Sequence, residues 1–308
     1  MSHTAAERWA KARTFHHSQF PVQRIVSERR HSVSVCVPVR ECARTVGEIV
    51  GVLVALREAG AIDEVAVVDA ASADGTAAVA ARAGASVLQE AELLAAFGPV
   101  LGKGDAMWRA TSALQGELVC FVDGDTEGFS AHFVTGLLGP LVCEPGVSFV
   151  KGFYRRPLAH EAERQGEGGG RVNHLTARPA LALFYPELAH VRQPLAGEVA
   201  ARRELLEALP FATGYGVEVA MLIDAWRALG LNAIAQVDLD EHRNRHQPLS
   251  ALAPMAHTVL ATIARRLERE GRLDGGRGAP GPDAAPGPDA APVERPPLAG
   301  LLAAPAPR

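Results

Sequence analysis

The 308-residue sequence predicts a mainly parallel α/β fold, with a Rossmann-like nucleotide-binding half followed by a half that completes the site. Short, near-continuously apolar runs at 33–38, 64–69, 85–88 and 117–122 alternate with helical stretches. Such strands suit a sheet covered by helices on both faces. An acidic turn follows directly on the fourth run, at the carboxyl end where such sheets bind ligands.

The first run, Val33-Ser34-Val35-Cys36-Val37, is β-branched and ends at Pro38, as a buried strand does. Thr45 reads as a helix N-cap with Glu48 three residues on, and the helix runs to Gly60. After strand 64–69, the turn 72–76 leads into an alanine-rich helix that stops at Gly84. Strand 85–88, a helix over 103–114 and strand 117–122 close the first half. The second half is less regular. It holds a strand at 148–154, a glycine-rich loop at 167–171 opening a helix, and a helix over 217–229 ended by Gly230. A strand at 233–237 and an amphipathic helix at 251–270 follow.

Residues 1–30 read as a solvated arm carrying Arg24, Arg29 and Arg30 beside His31, interrupted only by Glu28. One folded domain spans 31–270, divided at 126, where the regular strand–helix alternation of its first half ends. Residues 271–308 read as a disordered tail. There the composition shifts at Gly275, and Ala279-Pro280-Gly281-Pro282-Asp283-Ala284 is repeated at once. Such a tract buries too little apolar surface to offset its ordering entropy.

Hydrophobic residues make up 48% and charged residues 21% of the chain, ordinary for a globular enzyme. The formal net charge of -4 excludes a polycationic, nucleic-acid-binding character. Cys36, Cys42, Cys120 and Cys143 show no metal-like spacing. The N-terminus has no apolar signal region, and no run approaches the ~20 residues of a membrane helix. A cytoplasmic protein is expected.

The chemistry centres on Asp123-Gly124-Asp125. Departure of a diphosphate from a sugar requires its charge to be neutralised, and carboxylates can hold the hard divalent cation that does so. An Asp-x-Asp turn alone is a weak signal; its place after the fourth strand strengthens it.

Longer segments resemble the GT-A glycosyltransferases, and closely the retaining glucosyl-3-phosphoglycerate synthases. They include Pro99-Val100-Leu101-Gly102-Lys103-Gly104, residues 150–158, Gly168-Gly169-Gly170-Arg171-Val172 and Gln193-Pro194-Leu195-Ala196-Gly197-Glu198. Pro210-Phe211-Ala212-Thr213-Gly214-Tyr215-Gly216-Val217-Glu218 and His242-Arg243-Asn244-Arg245 complete the set, within about 31–268. The resemblance implies transfer of a sugar, glucose from UDP-glucose, to 3-phosphoglycerate or a similar small anionic hydroxy acid, with Mg²⁺ or Mn²⁺, in a homodimer.

It implies that Pro38, Val39, Arg40, Asp69, Lys103, Asp123 and Gly124 bind the nucleotide sugar, while Asp125 and His242 hold the metal. His246 is the spare metal candidate, because this loop is one residue longer than the usual pattern. Glu218 and Asp125 are the catalytic residues, Glu218 lying by the reacting acceptor hydroxyl. Gly170, Arg171, Asn173, Tyr215 and Asn244 would hold the acceptor, whose phosphate suits a helix start and an arginine fork.

The chain departs from the pattern at Cys42, where a glutamate is expected, and at Ala70, where serine is usual. Asn173 replaces threonine, and Asp240 stands in place of an arginine expected near the acceptor phosphate. These changes admit a different donor, such as GDP-mannose, or a different small acceptor. A sugar-1-phosphate nucleotidyltransferase would need a glycine-rich loop where Pro38-Val39-Arg40-Glu41 stands. A nucleotide-sugar sensor is disfavoured by the retention of Asp123, Asp125, Glu218 and His242.

Overall fold

The computed structural model describes residues 4–156, 170–243, 249–273 and 293–302. In chain order the strands are β1 (Thr14–His16), β2 (Val33–Val39), β3 (Glu64–Asp69), β4 (Ser86–Gln89), β5 (Leu118–Phe121), β6 (Phe149–Arg155), β7 (Val199–Arg202), β8 (Phe211–Ala212), β9 (Ile234–Glu241) and β10 (Glu294–Arg295). The helices that matter for the site are α1 (Ala5–Ala12), α2 (Val22–Glu28), α3 (Val46–Glu58), α4 (Thr76–Ala83), α5 (Lys103–Ala113), α6 (Ala131–Cys143), α7 (Arg178–Phe184), α8 (Arg203–Ala208), α9 (Val217–Leu229), α10 (Leu249–Arg269) and α11 (Ala299–Leu302).

Eight strands form one sheet in the order β1-β9-β6-β7-β5-β2-β3-β4. All neighbours are parallel except β7, which runs antiparallel to both β5 and β6. Along β5 the side chains alternate between two cores. Val119 and Phe121 face the one containing Trp108, Phe149 and Ile263, while Leu118 and Cys120 face the one containing Ile49, Leu53 and Phe133. That two-sided burial explains why the central strands are apolar throughout. Burial also pushes the Cys36 and Cys120 thiols well up, leaving them inert.

The helix α3 buries Val46, Ile49, Val50, Leu53 and Leu56, one face of a helical period. Thr45 does not cap it by its side chain. Its hydroxyl donates instead to the carbonyl of Gly124, at 2.6 Å, and so pins the acidic turn.

The expected solvated arm belongs to the fold. Trp9 is 3% exposed and its indole N–H donates to the Ile234 carbonyl, while β1 pairs in parallel with β9. Phe20 and Ile25 are buried, and Phe20 packs on Gly139, where a Cβ would strike its ring. The basic residues are paired: Arg24 with Glu28, Arg29 with Asp63 and His31 with Glu117.

The expected disordered tail is also only part of the picture. The repeat at 279–290 lies outside the described residues, but residues 293–302 dock on the body. There β10 pairs antiparallel with β8, Leu298 is fully buried and Arg295 is 8% exposed. No helix among the described residues is long and apolar enough to cross a membrane.

Candidate active site

A cleft of about 620 Å³ opens at the carboxyl end of the sheet, a size that suits a small-molecule ligand. Its walls bring together Pro38, Val39, Arg40, Lys103, Asp123, Gly124, Asp125, Gly170, Arg171, Asn173, Tyr215 and Glu218. Twelve of the fifteen positions expected at the site thus line one cavity, although they span 180 residues of chain. Asp69 lies behind Ala70 at the end of β3, buried. His242 is buried beside the acidic turn, and Asn244 and His246 fall outside the described residues.

The acidic turn is held from several directions. Thr126 donates its hydroxyl to the Asp123 carbonyl at 3.1 Å, and Thr45 holds the Gly124 carbonyl. A Cβ on Gly124 would come within 2.6 Å of the Val39 side chain. At Gly197 one would come within 2.6 Å of the Asp123 carboxyl carbon. Glycine at both places lets the backbone crowd the carboxylate.

Lys103 opens α5 and joins the two halves of the site. Its ammonium lies 2.6 Å from Asp123 Oδ1 and 3.1 Å from Glu218 Oε1. Burial disfavours the charged amine, but Asp123 and Glu218 outweigh that and hold its pKa well above the ordinary value. Glu218 stands in the first turn of α9, where the helix dipole favours a carboxylate, and is 6% exposed. Asp125 is exposed and lines the cleft. Partial withdrawal from water, then the neighbouring charge of Asp123, raise its pKa, against the pull of His242 and Lys103.

Behind the turn lies a polar group the sequence did not reveal. Glu198, which follows Gly197, is 1% exposed, and its Oε1 lies 2.9 Å from His242 Nε2. Thr126 Oγ1 lies 3.0 Å from the same nitrogen, and the Tyr154 ring stacks on the imidazole at 4.4 Å. Burial alone would raise the Glu198 carboxyl. His242, Arg156 and the Tyr154 hydroxyl more than offset this and hold it ionised, below the usual range. Arg156 donates to the Tyr154 hydroxyl at 2.8 Å and lines the cleft. Lys151 is buried with its ammonium donating to the Ala196 carbonyl, and burial lowers its pKa to about 8. A hint is available: Lys151 interrupts the otherwise apolar start of β6, and Arg156 directly follows the strand's end.

Asp123, Glu198 and His242 each offer a ligand atom within 4.8 Å of the others. The expected pair is Asp125 with His242; the cluster joins His242 with Asp123 and Glu198, and Asp125 lines the adjoining cleft. Among the described residues, Glu198 Oε2 and His242 Nδ1 are buried without a hydrogen-bond partner. Two carboxylates and an imidazole gathered in this way fit a hard divalent cation.

The four departures separate in space. Cys42 and Ala70 line the cleft. Asn173 sits in a π-helical turn before α7 and spends its amide on backbone, donating to Arg192 O and accepting from Leu195 N. Asp240 does not line the cleft. It pairs with His17 at 2.6 Å and His16 at 3.2 Å, beneath β1. Its carboxylate is thus engaged by these two side chains, away from the cleft.

The sheet, the acidic turn and the opposed Lys103 and Glu218 define a glycosyltransferase. The comparisons specify it further. No family model matches the chain. It is 40% identical over 268 residues to the glucosyl-3-phosphoglycerate synthase of Petrotoga mobilis, covering 85% of this chain and 82% of that protein. It is 45% identical over 247 residues to that of Mycolicibacterium smegmatis, covering 80% of each. The mannosyl-3-phosphoglycerate synthase of Rubrobacter xylanophilus superposes with a TM-score of 0.86 at 44% identity, covering 96% of this chain and 99% of that one. A Mycobacterium tuberculosis glucosyl-3-phosphoglycerate synthase, solved with Mn²⁺, UDP-glucose and phosphoglyceric acid, superposes with a TM-score of 0.80 at 37% identity, covering 94% and 98%. The chain belongs to the glucosyl-3-phosphoglycerate synthase family.

Proposed function

We propose that the protein transfers glucose from UDP-glucose to 3-phosphoglycerate, with retention at the anomeric carbon and a divalent cation, Mn²⁺ or Mg²⁺. The observation that carries this is Lys103, which ties Asp123 of the acidic turn to Glu218 across one cleft. A relative crystallised with Mn²⁺, UDP-glucose and phosphoglyceric acid supports the substrate assignment.

His242 with the aspartates of the turn would hold the cation, and Glu198 would orient His242. The bound cation neutralises charge on the departing diphosphate. Pro38, Val39, Arg40 and Asp69 bind the base and ribose. Asp123 addresses donor hydroxyls, and Gly124 lets the backbone approach the donor. Lys103 supplies positive charge at the diphosphate end. Gly170, Arg171, Asn173, Tyr215 and Asn244 hold the acceptor, with Arg171 on its phosphate.

Glu218 orients the acceptor hydroxyl. Its carboxylate is already engaged with the Lys103 ammonium, which suits positioning better than proton removal. The hydroxyl oxygen attacks the anomeric carbon from the face the diphosphate leaves. The bond from that carbon to the phosphate oxygen breaks as the new one forms, and the hydroxyl proton passes to the departing diphosphate. A homodimer through α10, whose Leu260 is exposed, belongs to the same proposal and is tested by light scattering.

A second donor, GDP-mannose, is favoured by one observation: the similarity to a mannosyl-3-phosphoglycerate synthase at 44% identity. Calorimetry of UDP, GDP and ADP with Mn²⁺ decides between them. Binding of UDP at least tenfold tighter than GDP is expected (about 1.4 kcal/mol); the reverse order refutes the uridine assignment.

A further inference from the structure

The walls of the cleft that carry Lys103 and Glu218 are both fastened from the far end of the chain. Arg295 of β10 directs its Nε to Asp105 Oδ1 at 2.8 Å and a terminal nitrogen to Oδ2 at 2.6 Å. Asp105 is fully buried in the first turn of α5, two residues after Lys103, and accepts from the Leu101 amide at 2.8 Å. The same guanidinium donates to the carbonyls of Phe97 at 2.8 Å and Pro99 at 3.1 Å. Arg295 therefore grips both ends of the loop that delivers Lys103, from outside α5, while Arg109 within α5 shares Asp105 at 3.2 Å and donates to the Gly98 carbonyl at 2.7 Å.

The neighbouring residues hold the opposite wall. The carbonyl of Val293 accepts both the amide and the hydroxyl of Thr213, each at 2.9 Å. Thr213 leads into Gly214-Tyr215-Gly216 and then Glu218. Among the described residues, β10 is the strand that pairs with β8 just before that loop. Glu294 pairs with Arg266 of α10, which pairs with Asp224 of α9, the helix that begins with Glu218. The two loops meet directly behind Lys103, where a Cβ on Gly102 would lie 3.2 Å from Gly214 Cα.

We propose that residues 293–302 are a strap that positions Lys103 and Glu218 relative to each other, with Arg295 as its positioning residue. The proposal rests on the reading of Lys103 and Glu218 as groups of the transferase site. A buried bidentate arginine–carboxylate pair is geometrically exacting, and reacting groups misplaced by even an ångström lose much of their rate. Leu298, fully buried, and the carbonyl of Pro296, which accepts from the Trp108 indole at 2.8 Å, keep the strap seated.

The test compares full-length wild type with Arg295→Met by hydrogen exchange and by steady-state kinetics with UDP-glucose, 3-phosphoglycerate and Mn²⁺. Exchange should rise about tenfold or more in segments 97–103 and 213–218 while the central sheet stays protected. The kcat should fall at least about tenfold, with both KM values within about threefold. Unchanged exchange in either segment overturns the strap. Raised exchange with kcat within about twofold overturns its positioning role. If Arg295→Met does not fold, Leu298→Ala, which loosens the segment while keeping the Arg295–Asp105 pair, is judged by the same outcomes. A wild type inactive with every donor sinks the transferase reading and the positioning of catalysis with it, while exchange still decides whether the strap holds both loops.

Discussion

Glu198 Oε1 stands 2.9 Å from His242 Nε2, both side chains almost wholly buried, with Tyr154 stacked on the imidazole. A carboxylate that fixes a histidine in this way is a common support for a metal ligand. Glu198→Gln keeps the volume but weakens the hold. Affinity for Mn²⁺ in the presence of UDP should drop about 10- to 100-fold, read by electron paramagnetic resonance titration. An unchanged affinity would show that Glu198 plays no part in the centre.

Asp125 lines the cleft beside this cluster, and among the described residues its carboxylate makes no hydrogen bond on which the fold depends. Asp125→Ala should abolish metal-dependent turnover, a loss of at least about a hundredfold, with thermal stability near that of wild type. Turnover persisting at the wild-type level refutes its metal role.

Lys151 is buried with a pKa of about 8, below the ordinary lysine value. Between pH 8 and about 10.5 the unfolded chain therefore binds more protons at this residue than the folded one, and stability rises with pH. Lys151→Met removes that dependence. Wild type should gain on the variant by about 2–3 kcal/mol across this window in denaturant unfolding. A difference flat with pH contradicts burial of an ionisable amine.

Trp9 ties the N-terminal segment to β9 by packing and by its N–H to Ile234. Trp9→Ala should cost about 3–5 kcal/mol in the same unfolding measurement. A loss within about 0.5 kcal/mol, typical of a surface site, is what a solvated arm would give.

Much of this was legible in the residues. Strand 64–69 and helix 217–229 fall where periodicity and glycine punctuation put them. The acidic turn, Lys103 and Glu218 were recognisable from their segments. What escaped depends on partners distant in sequence. Thr45 looked like a cap because its neighbours fit a capping box, yet the Gly124 carbonyl competes for its hydroxyl. The first 30 residues looked solvated because Trp9, Phe20 and Ile25 are few and scattered, although each is buried. Arg295 lay next to a low-complexity tract, and only its pairing with Asp105 shows that it belongs inside. Glu198 ends a recognisable segment, but its role comes from His242, 44 residues away.

The most direct test of the account is turnover itself. Purified protein incubated with Mn²⁺, UDP-glucose and 3-phosphoglycerate should release UDP and form one glucosylated phosphoglycerate, whose anomeric proton shows the α configuration of the donor, and a chelator should stop the reaction. Failure to release UDP under these conditions, with Mn²⁺ and acceptor saturating, contradicts the account.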